Sequence, residues 1–229
     1  MIITGSSVFR HIPKTGGMWV RQALCSIALP PFNPKDTDHS ITIPAEHADK
    51  YKFTFVRNPW SWYVSFYNYK KFGSNEEWLD TRPSPEFNSS ITFEDFVTGI
   101  MQPKSALKTR MVAAFKVERL LRRNREYRPA HEDIAKIWSS SNMSMYNCLV
   151  QAYTGDADYV GKMESLRPDL LTMLTISNEL TPELEKNINT LAPINQGRSA
   201  DYRGYYSNQL RDLVAQDSAD IISRFGYEF

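Results

Sequence analysis

The chain has 229 residues, of which 41% are hydrophobic and 13% aromatic, and its 27 basic and 26 acidic side chains leave a net charge of +1. This composition is typical of a globular protein that can bury a core without disulfides or a structural metal, and it excludes a disordered chain. The balanced charge argues against a general binder of nucleic acid or membrane surfaces, but it allows a local basic pocket.

The cysteines and the hydropathy pattern indicate the cellular compartment of the protein. Cys25 and Cys148 form no metal-binding or redox motif, and two isolated cysteines fit a reducing compartment. No stretch approaches the ~20 apolar residues of a membrane span, and the N-terminus lacks the features of a signal peptide. We therefore expect a cytoplasmic protein without a metal or a membrane span.

The first predicted elements are a strand over Val8–Ile12, a turn that contains glycine, and a helix whose apolar residues continue as far as Ala28. A proline-rich loop follows. A second strand is predicted over Lys52–Val56, because its residues are aromatic or β-branched. Asn58 and Pro59 directly after it are typical of an N-cap and a first helical position, so they predict the start of an aromatic helix.

The remaining predicted elements are several helices and one further strand, so strands continue to alternate with helical segments. They are a capped helix over Thr92–Ile100, interrupted helices within 104–140, a strand over Tyr159–Gly161, and helices over Arg167–Ile176, Pro182–Leu191 and Ser207–Gly226. This order favours a single α/β domain over residues 1–229, with a central, mostly parallel sheet flanked by helices. Ligands bind such sheets beyond the carboxyl ends of the strands.

The turn after the first strand has the chemistry of a phosphate-binding loop, in a P-loop-like strand-turn-helix motif. Lys14 adds a positive charge and Thr15 a hydroxyl, while Gly16 and Gly17 let backbone N–H groups approach an anion at the start of the helix. The lysine of a Walker A loop follows the glycines, whereas Lys14 precedes them, so a magnesium-dependent nucleotide kinase is the weaker alternative. A plain tight turn with an exposed lysine is the other alternative.

A second motif stands at the end of the second strand. Arg57 follows that strand, and Ser65 comes about two turns into the next helix. A guanidinium and a hydroxyl aimed at one point can hold a second phosphate. In the alternative, Arg57 pairs with a neighbouring carboxylate and Ser65 only packs.

Four segments, in order along the chain, resemble the sulfotransferases that use 3′-phosphoadenosine 5′-phosphosulfate (PAPS): residues 9–17 (FRHIPKTGG), 52–60 (KFTFVRNPW) with Ser65, 159–166 (YVGKMESL) and 202–229. The closer resemblance is to the carbohydrate branch, of the heparan and chondroitin sulfate type. Residues 73–140 match no part of that family, and we interpret them as a helical insertion on the substrate side.

The resemblance implies an enzyme that moves the sulfuryl group from PAPS to an acceptor hydroxyl and releases PAP, with a carbohydrate as one acceptor class and no metal. It implies that the loop with Lys14 binds the 5′-phosphosulfate, and that Arg57 and Ser65 bind the 3′-phosphate. Lys14 then acts catalytically, because it neutralises the charge that builds on the leaving phosphate. A protein that binds PAP without catalysis is a further alternative.

The resemblance also implies cofactor contacts by Thr15, Gly16, Gly17, Met18, Trp19, Gly197 and Arg198. Met18 departs from the family, which usually has Ser or Thr there to contact the 5′-phosphate. Trp19 either stacks on adenine or packs in the core. Gly197 and Arg198 lie where the family places a loop over the 3′-phosphate, and a polar surface loop is the alternative.

A general base should take the proton of the acceptor hydroxyl, and the family uses His or Glu for this step. Three candidates, His39, Glu46 and His47, lie between the two motifs. His47 comes shortly before the second strand, near its amino end, which faces away from the site in a parallel sheet. His39 is further along the loop and can return to the site, so it is the predicted base.

Overall fold

The centre of the molecule is a sheet of four strands in the described part of the chain. β1 (Ile2–Ile3) pairs antiparallel with β2 (Ser7–Phe9), β2 runs parallel to β3 (Tyr51–Val56), and β3 runs parallel to β4 (Tyr159–Lys162). The structure is a computed structural model that describes residues 1–30, 32, 39–72, 91–121, 132–194 and 201–229.

Ten α-helices are present within the described residues. They are α1 (Gly17–Ala23), α2 (Pro59–Phe72), α3 (Phe93–Met101), α4 (Ala106–Leu121), α5 (Glu132–Ser140), α6 (Met145–Thr154), α7 (Leu166–Ile176), α8 (Pro182–Thr190), α9 (Asn208–Asp217) and α10 (Ala219–Phe225). The predicted α/β class, with a mostly parallel sheet flanked by helices, is confirmed.

Helices cover both faces of the sheet. Phe53 and Phe55 pack in one apolar cluster with residues of α1, α7 and α8, whereas Val56 and Val160 belong to a second cluster with α2 to α6, α9 and α10. Successive side chains of a strand point to opposite faces, so the two clusters lie on opposite sides of the sheet. Its carboxyl edge, where β2, β3 and β4 end, is the place predicted for ligands.

Side chains cap several helices where the sequence predicts it. Asn58 Oδ1 accepts a hydrogen bond from the Ser61 backbone N–H at 3.2 Å, and Thr92 Oγ1 accepts one from the Asp95 N–H at 3.1 Å. Gly226 ends α10 with a left-handed φ of 61°. These caps satisfy backbone groups that have no partner within their own helix.

The first two elements are shorter than predicted. β2 ends at Phe9 because the next three carbonyl groups bond to side chains, that of Arg10 to Thr54, that of His11 to His39 and that of Ile12 to Thr15. α1 ends at Ala23 instead of continuing to Ala28, because the chain closes into a turn in which the Ile27 N–H bonds to Leu24 O at 3.1 Å.

Two helical regions also differ from the prediction. α6 is missing from the predicted elements, although Met145, Leu149 and Tyr153 recur at a spacing of four and are all buried. The predicted last helix is two helices, because Ser218 leaves helical geometry (φ −104°, ψ 23°) and donates its hydroxyl to Asn147 Oδ1 at 3.0 Å.

The close packing of β4 predicts the effect of one substitution. A Cβ added to Gly161 would lie 2.5 Å from Cε1 of the buried Phe55 and 3.0 Å from Cβ of Asp169. We expect Gly161→Ala to destabilise the protein by about 1–3 kcal/mol, because overpacking forces its neighbours to shift. Gly204→Ala is the matched control, since no heavy atom lies within 4 Å of its added Cβ. Equal melting temperatures of the two variants would contradict the packing described for β4.

Candidate active site

The loop between β2 and α1 is held by side chains of its surroundings. Trp62 Nε1 donates to Pro13 O at 2.9 Å, and Thr15 Oγ1 donates to Ile12 O at 2.8 Å. Lys14 and Gly16 both have positive φ, 68° and 82°, which reverses the chain within a few residues. In the protein without a ligand, the Thr15 hydroxyl proton is therefore directed to the loop itself, where it stabilises the turn.

The glycines allow the loop to approach its neighbours closely. Gly16 precedes the first residue of α1, and its carbonyl accepts from the N–H groups of Trp19 and Val20 at 3.0 and 3.2 Å. The backbone N–H groups of Gly17 and Met18 come before the first hydrogen bond of the helix, so they have no partner within α1. A side chain on Gly17 would overlap the ring of His11, while Met18 is half-buried.

Arg57 joins this loop to α2. Its Nη1 donates to Lys14 O at 3.2 Å, and its Nε donates to Ser61 Oγ at 2.9 Å. The backbone of Arg57 is held as well, because its N–H donates to the Tyr146 hydroxyl at 3.0 Å and its carbonyl accepts from that hydroxyl. The two motifs predicted from the sequence therefore meet at the carboxyl edge of the sheet.

The electrostatics of the site favour an anion. Burial first, and then the positive charges of Arg57 and Lys70, lower the pKa of Lys14 to about 8. Burial also lowers the pKa of Arg57, while the carboxylate of Glu164 opposes this effect. Within the described residues, neither Lys14 nor Arg57 forms a salt bridge, so the predicted alternative in which Arg57 pairs with a carboxylate is not observed there.

Aromatic rings support the cations from the side of α2. Lys14 Nζ lies 4.5 Å from the ring centroid of Tyr69, and Lys70 Nζ lies 5.8 Å from the same centroid. Such contacts stabilise a positive charge without neutralising it. Tyr69 is one of the site residues that the sequence motifs do not include.

Glu164 and the C-terminal residues hold the start of α2. Glu164 Oε1 accepts from the Asn58 N–H at 2.7 Å, and its Oε2 accepts from the Tyr227 hydroxyl at 3.3 Å. Asn58 Nδ2 donates to Glu228 O at 2.8 Å. Glu164 lies in the short 3₁₀ helix that follows β4 at the carboxyl edge, and this position was the sequence signal that could have identified it.

His39 lies beside the loop and is buried. It is 6% exposed, its Nδ1 is 2.8 Å from His11 O, and the two imidazole centroids are 4.5 Å apart. Since a carbonyl can only accept, Nδ1 carries the proton and Nε2 is the basic nitrogen of neutral His39. The other candidates, Glu46 and His47, lie in a 3₁₀ helix that precedes the amino end of β3.

Two of the remaining predicted site residues, Ser65 and Trp19, lie on different helices. Ser65 is half-buried on α2, one turn after Ser61. Trp19 is 6% exposed in the cluster of α1, α7 and α8, with the Arg167 guanidinium carbon 5.6 Å from its ring centroid. This position agrees with core packing and leaves little ring surface for stacking on adenine. Gly197 and Arg198 lie outside the described residues.

Neither a cluster of metal-binding side chains nor a membrane-spanning helix is present in the described residues. They contain no group of three or more His, Cys, Asp or Glu side chains that could hold a metal ion. None of the described helices is long and apolar enough to cross a membrane.

Comparison with known proteins identifies the family. A model of the Sulfotransferase family matches residues 6–224, which include the loop with Lys14, Arg57, β4 and most of α10. No curated protein and no solved structure matches the chain. With nearly its whole length matched, the chain belongs to the sulfotransferase family.

Proposed function

We propose that this sulfotransferase uses PAPS as its donor and transfers the sulfuryl group to an acceptor hydroxyl, with a carbohydrate as the proposed acceptor class. The observation that carries the proposal is that two basic residues without a salt bridge in the described chain lie side by side, because Arg57 Nη1 donates to the backbone carbonyl of Lys14 at 3.2 Å. A donor with phosphate groups at both the 5′ and the 3′ positions suits two adjacent cations on a rigid loop and helix.

The proposed roles follow from the chemistry of the transfer. The acceptor oxygen forms a bond to sulfur while the bond between sulfur and the 5′-phosphate oxygen breaks, and PAP leaves. Lys14 neutralises the charge that develops on the leaving oxygen, Arg57 and Ser65 bind the 3′-phosphate, and His39 Nε2 takes the proton of the hydroxyl. The N–H groups of Gly16, Gly17 and Met18 are proposed to face the 5′-phosphate.

The first prediction concerns donor binding. PAP at 100 times its Kd should stabilise the protein by about 2.7 kcal/mol, which corresponds to a rise in melting temperature of roughly 5–10 °C. AMP lacks the 3′-phosphate and should bind more weakly. Arg57→Ala should remove most of the difference between the two ligands, because the 3′-phosphate loses its guanidinium. A shift with ATP and magnesium but none with PAP would instead support a nucleotide kinase.

The second prediction concerns the pH dependence of PAP binding. The free protein loses the positive charge of Lys14 as pH rises through its pKa of about 8, whereas bound phosphate favours the charged amine. PAP affinity should therefore fall between about pH 7 and about pH 9, a range in which the phosphates keep their charge, and binding should take up protons. Lys14→Arg stays charged and should abolish this dependence. An unchanged dependence in that variant would assign it to another group.

The third prediction tests the base. His39→Asn keeps an N–H for His11 O but has no basic nitrogen, so kcat should fall by roughly 10²–10⁴-fold with PAP affinity unchanged. Transfer from labelled PAPS is measured with the best acceptor from a panel of sugars, polysaccharides and phenols. His47→Ala is the control, since His47 lies before the amino end of β3. Turnover close to wild type in His39→Asn would move the role to Glu46, His47 or a residue in 73–140.

A panel without any transfer, combined with tight PAP binding, would favour a protein that binds PAP without catalysis. Transfer to phenols but not to sugars would contradict the proposed acceptor class and leave the donor assignment intact.

A further inference from the structure

The side chain of Arg57 is held from two directions. On the side of α2, its Nε donates to Ser61 Oγ at 2.9 Å, and on the side of the loop its Nη1 donates to Lys14 O at 3.2 Å. A guanidinium has five N–H donors in one plane, and two bonds on different edges fix both the position and the tilt of that plane. Arg57 therefore has a defined orientation in the protein without a ligand.

The rest of the guanidinium remains available to a ligand. In the described part of the chain, no hydrogen bond engages Arg57 Nη2, and one N–H of Nη1 is left besides the bond to Lys14 O. Two parallel N–H groups on adjacent nitrogens match two oxygens of a phosphate. The bonds to Ser61 and Lys14 thus leave three N–H donors on Nη1 and Nη2 for a phosphate.

Ser61 is itself held in place. Its backbone N–H donates to Asn58 Oδ1 at 3.2 Å, within the first turn of α2, and its side chain is half-buried. Ser65 lies one turn further along α2, and residues four apart share a helix face. The sequence motif pointed to Ser65, but the hydroxyl that contacts Arg57 is that of Ser61.

We propose that Ser61 is a positioning residue for the donor site, which orients the Arg57 guanidinium toward the 3′-phosphate of PAPS. This inference rests on the proposed function. Without the Ser61 hydroxyl, Arg57 keeps its bond to Lys14 O but can rotate about that single contact. This rotation weakens the binding of the 3′-phosphate. The 5′-phosphate, which is assigned to the loop, is not affected.

The experiment compares the binding of PAP and AMP by titration calorimetry, because the two ligands differ by the 3′-phosphate. Ser61→Ala should weaken PAP binding by roughly 5- to 10-fold, the effect of one hydrogen bond, and leave AMP binding unchanged. Ser61→Thr retains a hydroxyl and should restore PAP affinity. The double variant Ser61→Ala with Arg57→Ala should bind PAP no more weakly than Arg57→Ala alone, because Ser61 acts through Arg57.

Ser139→Ala is the matched control, since Ser139 is an exposed helix serine on α5 that bonds only within its own helix. If Ser61→Ala lowers the melting temperature of the free protein, Ser61→Cys replaces it, because it keeps the side-chain size with a weaker acceptor.

Three outcomes would overturn the inference: wild-type PAP affinity in Ser61→Ala, equal loss for PAP and AMP, or additive effects of the two substitutions. These differ from failure of the proposed function, in which the wild-type protein itself would not distinguish PAP from AMP.

Discussion

The parallel pairing of β2 with β3 is the constraint on which the site depends. Phe9 lies opposite Phe53, so the loop after β2 and the helix after β3 leave the sheet side by side. The hydrogen bond from Arg57 to Lys14 O exists because of this register. A slip by one residue would exchange the two faces of a strand, bury polar groups and move the two cations apart.

Two positive charges at this edge are unfavourable in the free protein, and the surrounding residues make the arrangement possible. Burial and, after it, the repulsion from Arg57 and Lys70 lower the pKa of Lys14. Tyr69 stabilises the ammonium group through its ring, and Tyr146 holds the backbone of Arg57 through its buried hydroxyl. An anion relieves this repulsion, and strongly shifted groups of this kind are typical of functional sites.

Much of the fold, together with the loop around Lys14 and the start of α2 in the site, consists of local properties that the sequence determined by itself. A β-branched and aromatic strand, Asn58 as a cap and Pro59 at the first helical position all act within a few residues, so they predict β3 and the start of α2. The loop around Lys14 is local as well, since its glycines and its charge are adjacent in the chain. The alternation of such segments then predicts a parallel sheet and the edge at which its ligands bind.

The tertiary structure alone decided which side chains meet at that edge. Tyr146 and Glu164 lie far from Arg57 in the chain, and they bond to the backbone of Arg57 and of Asn58 because α6 and β4 pack beside β3. It also placed Trp19 in the core and brought His39 against His11. Hydrogen bonds and burial between residues far apart in the chain depend on how complete elements pack, and no local pattern encodes that packing.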